Sequence, residues 1–549
     1  MNSMPGKKGL WVLIWPTLLW GLAFALPLSA VLAKTSMVPK TMLQFISSPY
    51  YRGVLALTFK QAGLSTLFAV ILGLPGAYMI GRFKFHGRRL LKSIGTIPFV
   101  LPSILVVLGF ILVFGNSGLI NSLLRLVVTD AEGWKILYSL KAIVMAHVFY
   151  NFPITLRVVG DAWSSLPRNT YLASRSLGAS PIRAFFSVDF PRLAPAILNS
   201  AAITFLYCFL SFAIIIVLGG GPQLSTLEVE IFRLTKYRFD LSSAAALAII
   251  ETTFTITMIL ALSWVDSWLR RRNADDSLVV LREPVSISTG KFIAVSLYLL
   301  LILVLILTPL FSIVFYSFLV RSTRAGALAL SFDHWRNLLS LDGGILSVSM
   351  LSIIRTIFLG SIVAINSTIS AALASWYATR RKGAWIVDGL MVLPLGVSSV
   401  ILGLGYLIVI KRIPHTAMMR LAALIGAHTI IALPFAYRIV LGGMKTISSR
   451  VLQAARSSGA SAIKSFFTVE LPMARRSLIT AAVFSLALSA GELSAAIILA
   501  PNNFTTIPMA IYRMIGTYNI FAASALGAIL ICIFFIGFLT LDKIEDRHI

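Results

Sequence analysis

One polar phrase occurs twice in this otherwise apolar chain. The segment RSLGASPIRAFFSVDFP occupies residues 175–191, and RSSGASAIKSFFTVELP occupies residues 456–472, which is 281 positions later. Eleven of the twenty positions from 172 to 191 are identical in the two copies. Flanking residues continue the match at the same offset, since His147 pairs with His428 and Pro153 with Pro434. Self-similarity at a fixed offset is typical of repeats, so we predict a duplication whose two copies share one fold.

The composition predicts an integral membrane protein. Of 549 residues, 58% are hydrophobic and 12% are charged, and the mean hydropathy is +0.90, whereas soluble proteins carry about 25% charged residues. A helix needs roughly 20 apolar residues to cross the hydrocarbon core. Long apolar runs of this kind favour an all-α protein over the alternating strands of a barrel. Twelve spans are predicted, near residues 10–33, 57–80, 94–114, 137–160, 193–218, 242–266, 291–318, 346–378, 385–410, 418–443, 477–500 and 521–541.

Six spans in each copy determine how the copies are oriented. An even number of crossings returns each copy to the same side of the membrane, so the two repeats are predicted to be parallel. The predicted division is a first repeat at 1–266, a cytoplasmic linker at 267–290 and a second repeat at 291–549. The first apolar run is longer than the core of a signal peptide, so it is expected to be retained as a helix.

The net charge of +27 is explained by topology. Lysine and arginine cluster at helix ends and in loops on the side that carries both polar phrases, as the positive-inside rule requires of the cytoplasmic face. Both phrases and both termini are therefore predicted to be cytoplasmic. Because the clusters adjoin helix ends, we do not expect a nucleic-acid partner, although clustered cations can neutralise phosphates.

Each polar phrase is predicted to form two short helices hinged at a glycine. Gly178 ends one helix and Ser180 caps the next, and Gly459 and Ser461 repeat this pattern. An apolar stripe on the second helix could rest among lipid headgroups. A docking surface for a soluble partner is the better explanation, because small residues that permit close approach recur in both copies. These small residues are Ala173, Gly178 and Ala179 in the first copy, and Ala454, Gly459 and Ala460 in the second.

The two phrases resemble the EAA loop, Glu-Ala-Ala-x-x-x-Gly followed by Leu-Pro, of the membrane subunits of binding-protein-dependent ABC importers. The resemblance implies the type I importer permease fold, with each loop forming a coupling helix that fits a groove of a cytoplasmic ATPase subunit. Two ATPase copies and a periplasmic or surface-anchored substrate-binding protein are then the expected partners, together with membrane lipid. Leu172 and Gln453 stand where the family has glutamate. The implied docking residues are Leu172, Ala173, Arg175, Gly178, Ala179, Ser180 and Phe185 in the first loop, and Gln453, Ala454, Arg456, Gly459, Ala460, Ser461 and Phe466 in the second.

Other segments are similar to particular branches of that family. AHVFYNFPITLR at 146–157 and SFAIIIVLGGGPQLSTLEVEIF at 211–232 resemble the membrane subunits of thiamine importers. LSAGELSAAIILA at 488–500 has a pattern that is shared with importers of iron, molybdate and sulfate. The resemblance therefore implies thiamine as the first candidate cargo and ferric iron as the second, in a bacterial inner membrane.

The chain itself is not expected to be an enzyme. The sequence contains no Gly-x-x-x-x-Gly-Lys-Ser/Thr phosphate-binding loop, so ATP and Mg²⁺ are expected only on the partner ATPase. Two cysteines, Cys208 and Cys532, suggest neither a disulfide framework nor a metal site.

Acidic residues inside spans are costly and are candidates for function. Glu251 lies in the sixth predicted span and Glu492 in the eleventh, and Ser211 is the first-copy position that matches Glu492. These residues could line a cargo path, or the carboxyl groups could hydrogen-bond between helices. Both alternatives stay open at the level of sequence.

A twelve-helix secondary transporter of the major facilitator kind is the rival interpretation, since it also has two parallel six-helix halves. The segment GRFKFHGRR at 81–89 faintly resembles a loop of that family but lacks its acid. Acidic residues for ion coupling are also scarce within the predicted spans, so the importer interpretation is favoured.

Overall fold

A computed structural model describes most of the chain. The described residues are 12–34, 43, 45, 47–85, 87–88, 91, 101–127, 133–166, 168–272, 285–286, 289–321, 328–342, 345–381, 384–411 and 416–546. The predicted linker at 267–290 lies largely outside these residues, as does the start of the third predicted span at 94–100.

Within the described residues, the first repeat consists of helices joined by short turns. Its α-helices are Ile14–Trp20, Leu26–Ala33, Pro49–Arg82, Ser103–Phe114, Leu119–Val127, Leu140–Ser164, Arg168–Ser176, Pro181–Ala184, Phe190–Phe209, Ala213–Leu218, Leu227–Lys236 and Leu241–Arg272. Two π-helical turns, Gly21–Ala25 and Phe185–Asp189, and one 3₁₀ turn, Pro222–Leu224, lie between them.

The second repeat has a similar succession of elements, with additional short helices such as Asp333–Leu339 and Leu471–Met473. Its α-helices are Thr289–Tyr316, Asp333–Leu339, Val348–Ala378, Trp385–Val392, Ser399–Ile410, Ala417–Lys445, Ser449–Ser457, Ala462–Ser465, Leu471–Met473, Arg475–Gly491, Ser494–Leu499, Ile507–Gly516 and Ile520–Asp546, with a 3₁₀ turn at Leu393–Gly396 and a π-helical turn at Phe466–Glu470. Three two-stranded ladders complete the described structure: Phe83–Lys84 runs parallel to Val285–Ser286, Leu319–Arg321 antiparallel to Leu328–Leu330, and Leu341–Asp342 antiparallel to Ile345–Leu346.

The prediction of an all-α membrane protein is confirmed. Ten of the described helices are long and apolar enough to cross a membrane, and the number reaches twelve when each of two bent helix pairs counts as one span. One bent pair, Trp385–Gly396 with Ser399–Ile410, turns by 94° and corresponds to the ninth predicted span.

Two further predicted spans are not continuous. The sequence predicts unbroken helices at 193–218 and 477–500, but the fifth span ends at Phe209 and resumes at Ala213, and the eleventh ends at Gly491 and resumes at Ser494. Hydropathy alone cannot reveal such a break, because the interrupting residues are themselves mostly apolar. In the eleventh span, Glu492 Oε1 accepts hydrogen bonds from the backbone N–H groups of Ser494 at 2.8 Å and Ala495 at 3.2 Å. This carboxylate satisfies donors that the break would otherwise leave unpaired.

The described residues fall into two compact units that exchange a helix between the sequence repeats. One unit combines residues 44–230 with 253–313, and the other combines 1–43 and 231–252 with 314–549. The first membrane helix therefore belongs with most of the second repeat, and most of the seventh belongs with the first repeat. The repeat boundaries at 1–266 and 291–549 stay a prediction about the duplication.

Glycines in the third membrane span of each repeat contact the helices that are exchanged between the repeats. A β-carbon at Gly405 would overlap the carbonyl oxygen of Pro27, and one at Gly109 would lie 2.7 Å from the β-carbon of Pro309. Tyrosine hydroxyls add a hydrogen bond in each unit: Tyr406 donates to the carbonyl oxygen of Ala23 at 3.0 Å, and Tyr298 to that of Leu72 at 2.9 Å. Close backbone approach at a small residue is typical of helix packing in membranes.

We expect Gly405→Leu to destabilise the protein, because the added side chain would occupy the space of Pro27. Overpacking of this kind costs about 1–3 kcal/mol. The matched control is Gly53→Leu, since no atom lies within 4 Å of a β-carbon at Gly53. Thermal unfolding in detergent, followed by fluorescence-detected size exclusion, should show a lower midpoint for Gly405→Leu alone. Equal midpoints for the two variants would contradict the proposed packing.

Candidate functional site

The two polar phrases have the same backbone conformation. Gly178 and Gly459 both adopt left-handed conformations, with φ of +85° and +82°. In the first copy, the N–H of Gly178 donates to the carbonyl of Arg175 at 3.0 Å. In the second, the N–H of Gly459 donates to the carbonyl of Arg456 at 2.9 Å. Each glycine therefore ends a short helix, Arg168–Ser176 or Ser449–Ser457, in the way that a left-handed residue closes a helix C-terminus.

A serine begins the second helix of each loop, as the sequence predicts. The hydroxyl of Ser180 accepts a hydrogen bond from the backbone N–H of Arg183, and that of Ser461 from Lys464, both at 3.2 Å. These are N-cap interactions that stabilise the first turn of a helix.

The predicted docking residues that precede the hinge glycine are exposed to solvent in both loops. Leu172, Ala173 and Arg175 are exposed, as are Gln453, Ala454 and Arg456. No atom lies within 4 Å of a β-carbon built at Gly178 or Gly459. The hinges therefore have free space around them, which a partner could occupy. Ala179 and Ala460 are partly exposed, and Ser180 and Ser461 are exposed.

The apolar side chains after each hinge divide into an outer and an inner set. Ile182 and Phe186 are 72% and 61% exposed, and Ile463 and Phe467 are also exposed. Their neighbours Phe185 and Phe466 pack inward instead. Phe185 stacks on Trp163 with ring centroids 5.8 Å apart. Phe466 contacts Trp376 at 5.3 Å.

A buried ion pair lies behind the second loop. Arg380, just beyond the helix Val348–Ala378, pairs with Glu470 at the end of the π-helical turn. Only 13% and 4% of their side-chain surfaces are exposed. Burial lowers the pKa of Arg380, and the Glu470 carboxylate opposes that shift, so the guanidinium remains charged.

The first loop has a small cavity in the corresponding position. A space of about 360 Å³ is lined by Arg82, Asp189, Trp163 and Phe185, among others. Arg82 lies over the ring of Tyr171 at 5.0 Å, and its Nη2 is 3.4 Å from that hydroxyl. Asp189 and Glu470 occupy matching places in the two phrases and are both buried.

Sequence reasoning missed these inner contacts. The acids at Asp189 and Glu470 were visible inside the repeated phrase, and that was the available signal. Their partners on distant helices were not visible, because Arg380 is 90 residues from Glu470 in the chain.

The candidate substrate-path residues lie at different places. Glu492 and Ser211 both sit at the breaks in the eleventh and fifth spans, where Glu492 bonds to backbone N–H groups and the N–H of Ser211 bonds to the carbonyl of Cys208 at 3.4 Å. Glu251 is fully buried within the helix Leu241–Arg272. Cargo contact at any of the three stays a prediction. Among the described residues, no group of three or more His, Cys, Asp or Glu side chains is arranged to hold a metal ion.

Comparison with known proteins places this chain among importers. The thiamine transport system permease protein of Salmonella typhimurium is 26% identical over 523 residues, which cover 91% of this chain and 90% of that protein. The thiamine transport system permease protein of Escherichia coli is 25% identical over 505 residues, with the same coverage. The crystal structure of a bacterial ABC transporter involved in the import of the acidic polysaccharide alginate aligns with a TM-score of 0.40 and 18% identity, over 48% of this chain and 95% of that one.

A family match extends over both repeats. Residues 69–274 and 366–548 match the binding-protein-dependent transport system inner membrane components. These two stretches contain both polar loops and well over half of the 549 residues. The chain therefore belongs to the family of binding-protein-dependent transport system inner membrane components.

Proposed function

We propose that this chain is the fused, two-copy permease of an ATP-driven importer whose cargo is thiamine. The similarity to thiamine transport system permease proteins, which extends over nine-tenths of this chain and of those proteins, is the observation that carries the proposal. It runs through both repeats, so one polypeptide supplies both halves of the conduit.

Two cytoplasmic ATPase subunits are the proposed inner partners, one on each polar loop. The shared left-handed glycine and the exposed Ile182 and Ile463 support this assignment, because two equal subunits need two equal docking surfaces. ATP and Mg²⁺ would bind to those subunits, and this chain would perform no covalent chemistry. A periplasmic or surface-anchored binding protein would deliver thiamine from the outside.

The proposed location is the bacterial inner membrane, with both termini and both loops in the cytoplasm. The basic clusters at the helix ends beside the loops support this orientation. Twelve spans bring the chain back to the side on which it began.

Transport would proceed by alternating access. Nucleotide binding would close the ATPase pair, move the two loops and open the path to the outside, and hydrolysis would reverse these changes. A ligand shifts such an equilibrium only through its different affinity for the two states. Glu492 and Glu251 are proposed path residues because a carboxylate favours the cationic thiazolium ring of thiamine, and Ser211 is proposed because it is the first-copy position that matches Glu492.

The hinge conformation should be essential for coupling. Valine at Gly178 and Gly459 should lower ATP-dependent uptake by about tenfold per loop, since a left-handed conformation costs an L-residue about 1–2 kcal/mol. Asparagine tolerates that conformation and should retain most of the uptake. Gly442→Val is the control, because Gly442 is exposed, has ordinary helical geometry and has no atom near a β-carbon. Wild-type uptake in Gly178→Val/Gly459→Val would show that the hinges are dispensable.

The cargo can be tested in proteoliposomes that contain this chain, its ATPase and its binding protein. Radiolabelled thiamine should accumulate only when ATP and the binding protein are both supplied, and excess ferric iron should not compete. Accumulation of ferric iron in place of thiamine would refute the proposed cargo and leave the importer intact. Thiamine uptake without any ATPase subunit would indicate a secondary transporter.

A further inference from the structure

The second membrane helix of each repeat, Pro49–Arg82 and Val348–Ala378, is hydrogen-bonded near its N-terminal end to the first residue of a short helix. The backbone N–H of Leu227 donates to Thr58 Oγ1 at 3.1 Å. The N–H of Ile507 donates to Thr356 Oγ1 at 2.8 Å. Leu227 and Ile507 are the first residues of the helices Leu227–Lys236 and Ile507–Gly516. The same bond therefore occurs in both repeats.

These bonds satisfy the first backbone N–H group of each short helix. The first N–H groups of a helix have no partner within it, and an N-cap side chain normally accepts from the second or third residue of the helix and not from the first. Here the preceding residues are Thr226 and Thr506, whose buried hydroxyls have no hydrogen-bond partner among the described residues. The acceptor for the first N–H group is a threonine of another helix. The bond therefore joins two elements that are distant in the chain.

The opposite end of the same helix is tied to the polar loop in the second repeat. Arg380 pairs with Glu470 and lies over the ring of Trp376 at 4.6 Å. Trp376 in turn contacts Phe466. The end of Val348–Ala378 thus holds the segment that follows the Gly459 hinge.

The first repeat makes a related connection on the other side of its hinge. Arg82, the last residue of Pro49–Arg82, lies over Tyr171. Tyr171 belongs to Arg168–Ser176, which precedes Gly178. Asp189, the counterpart of Glu470, lines the same cavity as Arg82.

The length of the helix suits a transmembrane connection. Thr58 and Arg82 are 24 positions apart, which at about 1.5 Å per residue is roughly 36 Å, slightly more than the hydrocarbon core. We infer that each second helix is a rod which transmits motion between the polar loop at one end and the first residue of a short helix, Leu227 or Ile507, at the other. Thr58, Thr356, Arg380 and Glu470 are positioning residues for transport in this arrangement. The inference rests on the proposed docking of an ATPase at the polar loops.

The threonine ties can be tested in the reconstituted complex with ATPase and binding protein. In Thr58→Val/Thr356→Val, stimulation of ATP hydrolysis by the loaded binding protein should fall by about fivefold, because each rod loses the hydrogen bond to the short helix. Each variant side chain also loses a bond donated within its own helix, to Val54 or Ser352, and the control below removes bonds of that second kind alone. Thr58→Ser/Thr356→Ser keeps both hydroxyls and should restore it. Thr66→Val/Ser367→Ala is the matched control on the same helices, because those hydroxyls donate to carbonyls of their own helix at 2.7 Å. Its stimulation should stay within about twofold of wild type.

The ion pair gives an independent test if the threonine variants fail to fold. Arg380→Glu and Glu470→Arg should each lower the uptake per ATP hydrolysed by about tenfold, because each leaves a like-charged buried pair. The double variant Arg380→Glu/Glu470→Arg restores opposite charges and should recover most of that loss. ATPase co-purification should persist in all of them.

The outcomes separate this inference from the proposed function. Wild-type stimulation in Thr58→Val/Thr356→Val, or a double charge reversal no better than the single ones, would overturn the rod. If the wild-type chain binds no ATPase and shows no ATP-dependent uptake, the proposed importer itself fails.

Discussion

The structure depends on satisfying every backbone N–H group inside an apolar medium. Water is absent from the hydrocarbon core, so a helix that starts or breaks there needs a partner for its first donors. Glu492 supplies it for Ser494 and Ala495. Leu227 and Ile507 lie outside the predicted spans but are buried, and a threonine of the second membrane helix accepts from their N–H groups. Pairing of these N–H groups accompanies the break in the eleventh span. It also joins the second membrane helix of each repeat to a short helix.

Duplication preserved the loop backbones and allowed their supports to diverge. Both loops have the same hinge and cap, and an arginine at the end of the second membrane helix contacts each loop: Arg380 pairs with Glu470, whereas Arg82 lies over Tyr171 and lines a cavity with Asp189. The repeat-related histidines show the same divergence: His147 Nδ1 lies 3.2 Å from the Ser65 hydroxyl, whereas His428 Nδ1 lies 2.9 Å from Ser489. Similar loop backbones are therefore accompanied by side-chain contacts that differ in detail between the repeats.

Local features of the fold could be predicted from the sequence, and contacts between distant segments could not. Gly178 and Ser180 were recognisable because a left-handed turn and an N-cap each favour few residue types. The twelve apolar runs were recognisable by length. The breaks at 210–212 and 492–493 were not, because their residues are apolar or, like Glu492, compatible with several roles. The exchange of the first and seventh helices depends on glycine–proline contacts between residues far apart in the chain, such as Gly405 and Pro27, for which one sequence has no signal.

Side-specific cysteine labelling tests the central claim most directly. Ile182→Cys and Ile463→Cys, each in a chain whose Cys208 and Cys532 are replaced by serine, would be treated with a membrane-impermeant maleimide. The account predicts labelling at both positions in inside-out vesicles stripped of ATPase, protection when the ATPase is added back, and none in intact spheroplasts. Labelling in spheroplasts, or equal labelling with and without the ATPase, would contradict cytoplasmic loops that dock a motor subunit.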